Sequence, residues 1–98
     1  MEALDYQLAE IADTRGFEKK PSEYFKSNFY GCFWFEKKDI SDTLHKVGID
    51  NCLFETDFPH PTSLWPIDNL EERLSSLTHE DRAKVLGLNA AKLYSIAI

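Results

Sequence analysis

Leu4, Leu8, Ile11 and Ala12 recur at i, i+4, i+7 and i+8, while Glu2, Asp5, Glu10 and Asp13 fall largely off that line. This is the period of a helix with one apolar face, and it predicts a first helix ended by Gly16, with Arg15 near its C-terminus. The connector FEKKPSEYFKS follows, in which Pro21 can open a short helical turn through Tyr24 and Phe25. Phe29 to Phe35 reads FYGCFWF and predicts a strand. It lacks alternation, so both of its faces are expected to be covered, as in a parallel sheet beneath helices.

Asp39 or Ser41 then caps a helix carrying Ile40, Leu44 and Val47, which Gly48 closes. A second apolar run, Cys52 to Thr56, completes a strand–helix–strand unit. Beyond a proline-rich loop, Ile67, Leu70, Leu74 and Leu77 predict another amphipathic helix. Thr78 with Asp81 forms a capping-box start for a helix from about His79 to Leu86, stopped at Gly87. Asn89 is placed to cap a last stretch through Leu93 and Tyr94. Two strands leave two open sheet edges, so the pattern reads as a section of a larger α/β protein.

The chain's 98 residues, 43% of them hydrophobic and 13% aromatic, suffice for a small core and argue against disorder. The formal charge of −6, with no basic stripe, disfavours nucleic acid and anionic membranes as partners. No apolar run approaches membrane-spanning length, and the acidic start does not resemble a secretion signal. Cys32 and Cys52 lie in strand-like runs and are expected to be buried, reduced thiols of a cytoplasmic protein; a disulfide between them has weaker support.

Chemistry on α/β sheets gathers at the C-terminal ends of strands. Glu36 follows the first strand, and Glu55 and Asp57 end the second. Alternation puts Glu55 and Asp57 on one face, with Phe54 and Thr56 on the other. A short carboxylate on a stiff strand suits a metal ion or a water nucleophile. It equally suits an Asx-turn or loop cap, which is the commoner use on pattern alone. Pro59 and Pro61 stiffen the loop that carries His60 and Trp65. His60 reads either as a loop hydrogen-bonder or as a group at the site, and Trp65 either as packing or as a substrate contact. Two potential ligands fall short of the three or four that a metal site needs.

Three ordered segments carry a family resemblance. Phe54-Glu55-Thr56-Asp57-Phe58-Pro59-His60 with Trp65-Pro66 is similar to the (S/T)-D-(Y/F)-P-H…W-P signature of the amidohydrolase-related proteins, the group that includes aminocarboxymuconate semialdehyde decarboxylase. Pro21-Ser22-Glu23-Tyr24-Phe25 resembles the segment before that family's seventh strand. Leu86-Gly87-Leu88-Asn89-Ala90-Ala91-Lys92-Leu93-Tyr94 resembles its closing helix. The resemblance implies an α/β fold that is part of a (β/α)8 TIM barrel, with residues 1–98 spanning strands 7 and 8 and the C-terminal helices.

It further implies a metal-dependent hydrolase, or a nonoxidative decarboxylase, acting on a small organic acid, amide or lactone. Zinc is the usual divalent metal. Asp57 corresponds to the family's catalytic and metal-binding aspartate, and His60 and Trp65 to the substrate rim. The family's H-x-H ligand pair does not occur in this sequence. The chain alone is therefore expected to be inactive, and to need either the N-terminal part of the barrel or self-association. The alternative is a small non-enzymatic α/β module that self-associates or complements a partner through its open strand edges.

Overall fold

A computed structural model describes residues 2–10, 18–33, 36, 38–63 and 67–98. The expected end of the first helix at Gly16 and the second half of the aromatic run, Trp34-Phe35, lie outside the described residues. The chain divides into two compact units, Met1–Tyr30 and Gly31–Ile98.

In the first unit, α1 spans Glu2–Glu10 and α2 spans Pro21–Asn28. Pro21 begins α2, where its missing N–H is of no consequence. Glu23 reaches back to accept the backbone N–H of Lys20 at 2.7 Å. The Asp5 carboxylate accepts the Ser22 N–H at 2.9 Å, which ties the two helices together at the start of α2.

The second unit holds strands β1, Gly31–Phe33, and β2, Cys52–Phe54. They pair in parallel, with Gly31 opposite Cys52, Cys32 opposite Leu53 and Phe33 opposite Phe54. The Glu55 N–H donates to the Phe33 carbonyl at 3.2 Å and carries the ladder one step beyond β2. Partners in a parallel pair face the same way, and successive residues alternate. Phe33, Cys52 and Phe54 therefore share one face, where the Phe33 and Phe54 rings meet at 5.6 Å in a tilted pair.

That face receives the helices. Phe33, Leu44, Cys52, Leu74, Leu77 and Val85 form one buried cluster, with Ile40, Val47, Ile49, Phe54 and Leu70 packed against it. Leu44, Ile40 and Val47 come from α3, Ser41–Val47, and its entrance. Leu74 and Val85 are the largest fully buried side chains. The opposite face carries Cys32, Leu53 and Glu55, none of which belongs to the cluster.

The start of α3 is fixed by Asp39. One carboxylate oxygen accepts the Ser41 backbone N–H at 2.9 Å and the Ser41 hydroxyl at 2.5 Å. The other accepts the hydroxyls of Ser75 and Ser76 at 2.9 and 2.6 Å. The bonds from Ser41 and Ser76 hold the Asp39 carboxyl well below the usual carboxylate range. Gly48 ends α3 at φ 115°, a conformation that disfavours any side chain, and a Cβ there would come within 3.0 Å of the Asn51 side-chain oxygen.

The later helices depart from the sequence expectation. The amphipathic run from Ile67 to Leu77 yields only one helical turn, α4, Leu70–Arg73. Asn69 just before it is left-handed at φ 54°, so the helix cannot extend back to Ile67. Leu74 and Leu77 are nonetheless buried, as their spacing predicts. Thr78 caps α5, His79–Ala83, by accepting the Asp81 N–H at 3.1 Å.

Gly87 does not stop this helix. The backbone passes through a wide π turn at Lys84–Leu88 and returns to α-geometry in α6, Asn89–Leu93. Asn89 is thus inside a continuous helical run rather than a cap. Its side-chain amide is buried and donates to the Ile49 carbonyl at 2.7 Å and the Cys52 carbonyl at 2.9 Å.

Replacing Asn89 with alanine removes the amide donor from two main-chain carbonyls beneath α6, of which that of Ile49 keeps the Cys52 N–H. Asn89→Ala is expected to lower unfolding free energy by about 1–3 kcal/mol, read as a lower urea midpoint at unchanged m. Asp39 gives a second test. Its folded pKa is depressed, so its stabilisation is fully present above the ordinary unfolded value of about 3.9 and is lost as pH falls through the lower folded value. Urea midpoints measured down the acid range should fall less steeply for Asp39→Asn than for wild type, which starts higher at neutral pH.

Candidate functional site

The segment after β2 carries the chemistry that the sequence singles out. The strand β2 ends at Phe54, and Asp57 adopts φ 58°. A left-handed Asp costs about 1–2 kcal/mol, so the surrounding contacts must hold it. Those contacts are its own loop. His60 Nδ1 lies 2.9 Å from Asp57 Oδ1, and the Thr62 hydroxyl donates to Asp57 Oδ2 at 2.7 Å. The Asp57 carbonyl accepts the His60 backbone N–H at 2.9 Å, and the Thr56 hydroxyl accepts the Phe58 N–H at 3.3 Å.

Hydrogen bonds from His60 first and Thr62 second hold the Asp57 carboxyl below its ordinary value. The Asp57 side chain is 24% exposed and the His60 ring 69% exposed. The carboxylate is thus set back under the loop while the imidazole stands out from it. Trp65 lies outside the described residues.

The expectation that Glu55 and Asp57 share a face does not survive the turn at Asp57. Glu55 lies against the Cys32 thiol across the sheet, where burial first and then the Glu55 charge push the thiol pKa up. Asp57 engages His60 and Thr62 instead. Glu36, the other strand-end acid, is half-buried, and its backbone carbonyl accepts the Nε–H of buried Arg73. Thr62 was not singled out from the sequence. Its signal is faint: a hydroxyl next to Pro61, five residues after an aspartate, in a loop that prolines keep tight.

A metal ion needs at least three protein ligands in a catalytic site. Among the described residues no group of three or more His, Cys, Asp or Glu side chains could hold one. Asp57 can offer a lone pair, since each carboxylate oxygen has two acceptor positions and the loop uses one of each. The described residues do not by themselves fit a catalytic metal.

Helices on one face of a parallel pair, and a carboxylate just beyond the C-terminal end of a strand, define an α/β protein of the kind that carries sites at strand ends. The sequence profile of the amidohydrolase family matches residues 3–96, and the chain belongs to that family, a hydrolase-like and generally metal-dependent one. A comparison with curated proteins finds no match. Among the described residues, no helix is long and apolar enough to cross a membrane.

The two cysteines correct one expectation. Both are free, but Cys32 is exposed and only Cys52 is buried. Because Cys32 pairs with Leu53 and not with Cys52, the thiols leave opposite faces of the sheet and cannot meet in a disulfide without backbone movement. Burial pushes the Cys52 thiol up to about 11. Iodoacetamide at pH 8 should therefore label Cys32 alone in the folded chain and Cys52 only after urea is added, as read by peptide mass mapping.

Proposed function

We propose that this chain is the C-terminal portion, strands 7 and 8 with their helices, of a (β/α)8 amidohydrolase barrel. In this reading β1 and β2 are adjacent barrel strands, the helix-packed face of Phe33, Cys52 and Phe54 points outward, and the Cys32–Leu53–Glu55 face lines the interior. The observation that carries the reading is the placement of Asp57 just past the C-terminal end of β2, the end at which such barrels keep their chemistry. The helix-covered cluster on the Phe33–Cys52–Phe54 face agrees with it, and Leu53 on the other face is buried as well.

The parent reaction is metal-assisted hydrolysis of an amide or lactone, or nonoxidative decarboxylation of a small organic acid. Asp57 is the catalytic carboxylate and one ligand of a divalent metal, with zinc the first choice; the remaining ligands come from residues outside this chain. His60 and Trp65 shape the substrate entrance. The isolated chain is inactive, because one carboxylate cannot hold a catalytic zinc.

A second reading rests on the two-stranded sheet itself. Each described strand pairs on one edge only, and such edges recruit further strands. The chain would then be a non-enzymatic module that self-associates.

Sequencing the reading frame around this segment and assaying its product separates the two. The barrel reading expects an upstream strand with an H-x-H pair, stoichiometric zinc in the extended protein, and loss of that zinc in Asp57→Asn. A frame that lacks such a strand, together with a chain that runs as a stable metal-free oligomer in native mass spectrometry, would falsify it in favour of the module.

A further inference from the structure

The loop after β2 settles which nitrogen of His60 carries the proton. An aspartate is ionised at neutral pH, and an ionised carboxylate has only acceptor sites. The ring nitrogen 2.9 Å from Asp57 Oδ1 is Nδ1, so Nδ1 is the one that bears hydrogen and donates. In the neutral ring the other nitrogen, Nε2, is then a lone pair. Neutral histidine in water favours the opposite form, with hydrogen on Nε2. The loop therefore works against an intrinsic preference.

Thr62 completes the device. Its hydroxyl donates to Asp57 Oδ2 at 2.7 Å while His60 donates to Oδ1, so both oxygens are engaged and the carboxylate plane is fixed. The left-handed backbone of Asp57 turns its side chain along the loop toward these two partners rather than onward along the strand. The ring itself is 69% exposed, so Nε2 is presented outward.

We propose that Asp57 and Thr62 are positioning residues for His60: they fix its neutral Nδ1–H tautomer, so that Nε2 is offered at the strand end as a hydrogen-bond acceptor. An acceptor takes a donor. While the ring is neutral, the substrate group that docks here is an amide N–H or a hydroxyl, and a carboxylate would meet a lone pair. This specificity rests on the reading that the loop lines the substrate entrance. The tautomer does not, and it is measurable in the chain as it stands.

The test is two-dimensional proton–nitrogen NMR of the histidine rings in 15N-labelled chain, taken at the alkaline end of a pH series where the imidazoles are neutral. His45 and His79 serve as internal controls. The expected result is His60 mainly in the Nδ1–H form. In Thr62→Val the ratio should swing toward Nε2–H, and Thr62→Ser should restore it, with the control histidines and amide dispersion unchanged. Thr62→Ala serves if valine perturbs the fold. A His60 mainly in the Nε2–H form in wild type overturns the proposal, as does a ratio that neither Thr62→Val nor Thr62→Ala moves. A missing upstream metal-ligand strand would overturn the barrel reading and leave the tautomer result intact, so the two failures are distinguishable.

Discussion

The larger unit depends on how the side-chain amide of Asn89 is used. It donates to the carbonyls of Ile49 and Cys52, which lie 40 and 37 residues earlier in the chain and bracket the point where β2 begins. The Ile49 carbonyl also accepts the Cys52 backbone N–H, and losing the amide from both carbonyls beneath a helix would cost about 1–3 kcal/mol in all. The amide removes that cost and fixes the start of β2 against the helical run. Gly48 contributes from the other side, since its left-handed backbone lets the chain turn closely past Asn51 into the strand.

Once the start of β2 is fixed, its faces are fixed. Cys52 and Phe54 must point to the helices, and Leu53 must point away. The register with β1 then carries Phe33 into the core and Cys32 out of it. A slip of one residue would exchange these sets and bury Cys32 and Glu55 in place of aromatic rings. The same register delivers Asp57 beyond the last ladder bond, made by Glu55, where the backbone is free to turn. Packing at the start of the strand thus determines where the carboxylate emerges at its end.

Much of this was legible in the sequence, because burial follows simple periods. Leu44, Leu74 and Leu77 were expected on apolar faces and are buried there. The middle of each strand, the Asp39 link to α3, the Gly48 stop and the Thr78 cap were readable from residue types with one dominant use, but Phe29 and Tyr30 stay outside β1 and exposed, and β2 ends at Phe54 rather than Thr56. What escaped were places where the backbone leaves its default. The run Ile67 to Leu77 has helical spacing, but the left-handed Asn69 confines the helix to one turn. Gly87 reads as a stop, yet a π turn absorbs it and carries the helix on to Asn89. Alternation links Glu55 to Asp57 only while the chain stays extended, and at Asp57 it does not. Nothing in the spacing of Asp57, His60 and Thr62 reports that turn. Trp65, expected at the rim, lies outside the described residues.

The question of whether Asp57 caps its loop or serves chemistry rests on a false opposition. A carboxylate has about four acceptor positions, and the loop occupies one on each oxygen. Those two bonds keep it ionised and fix its plane, which is what a residue must have before it can orient anything else. A freely rotating aspartate at a strand end would offer the same charge without direction. The cap is therefore the means by which the strand end acquires a defined acceptor geometry, and the strained backbone at Asp57 is tolerated because both partners, His60 and Thr62, lie within the turn it creates.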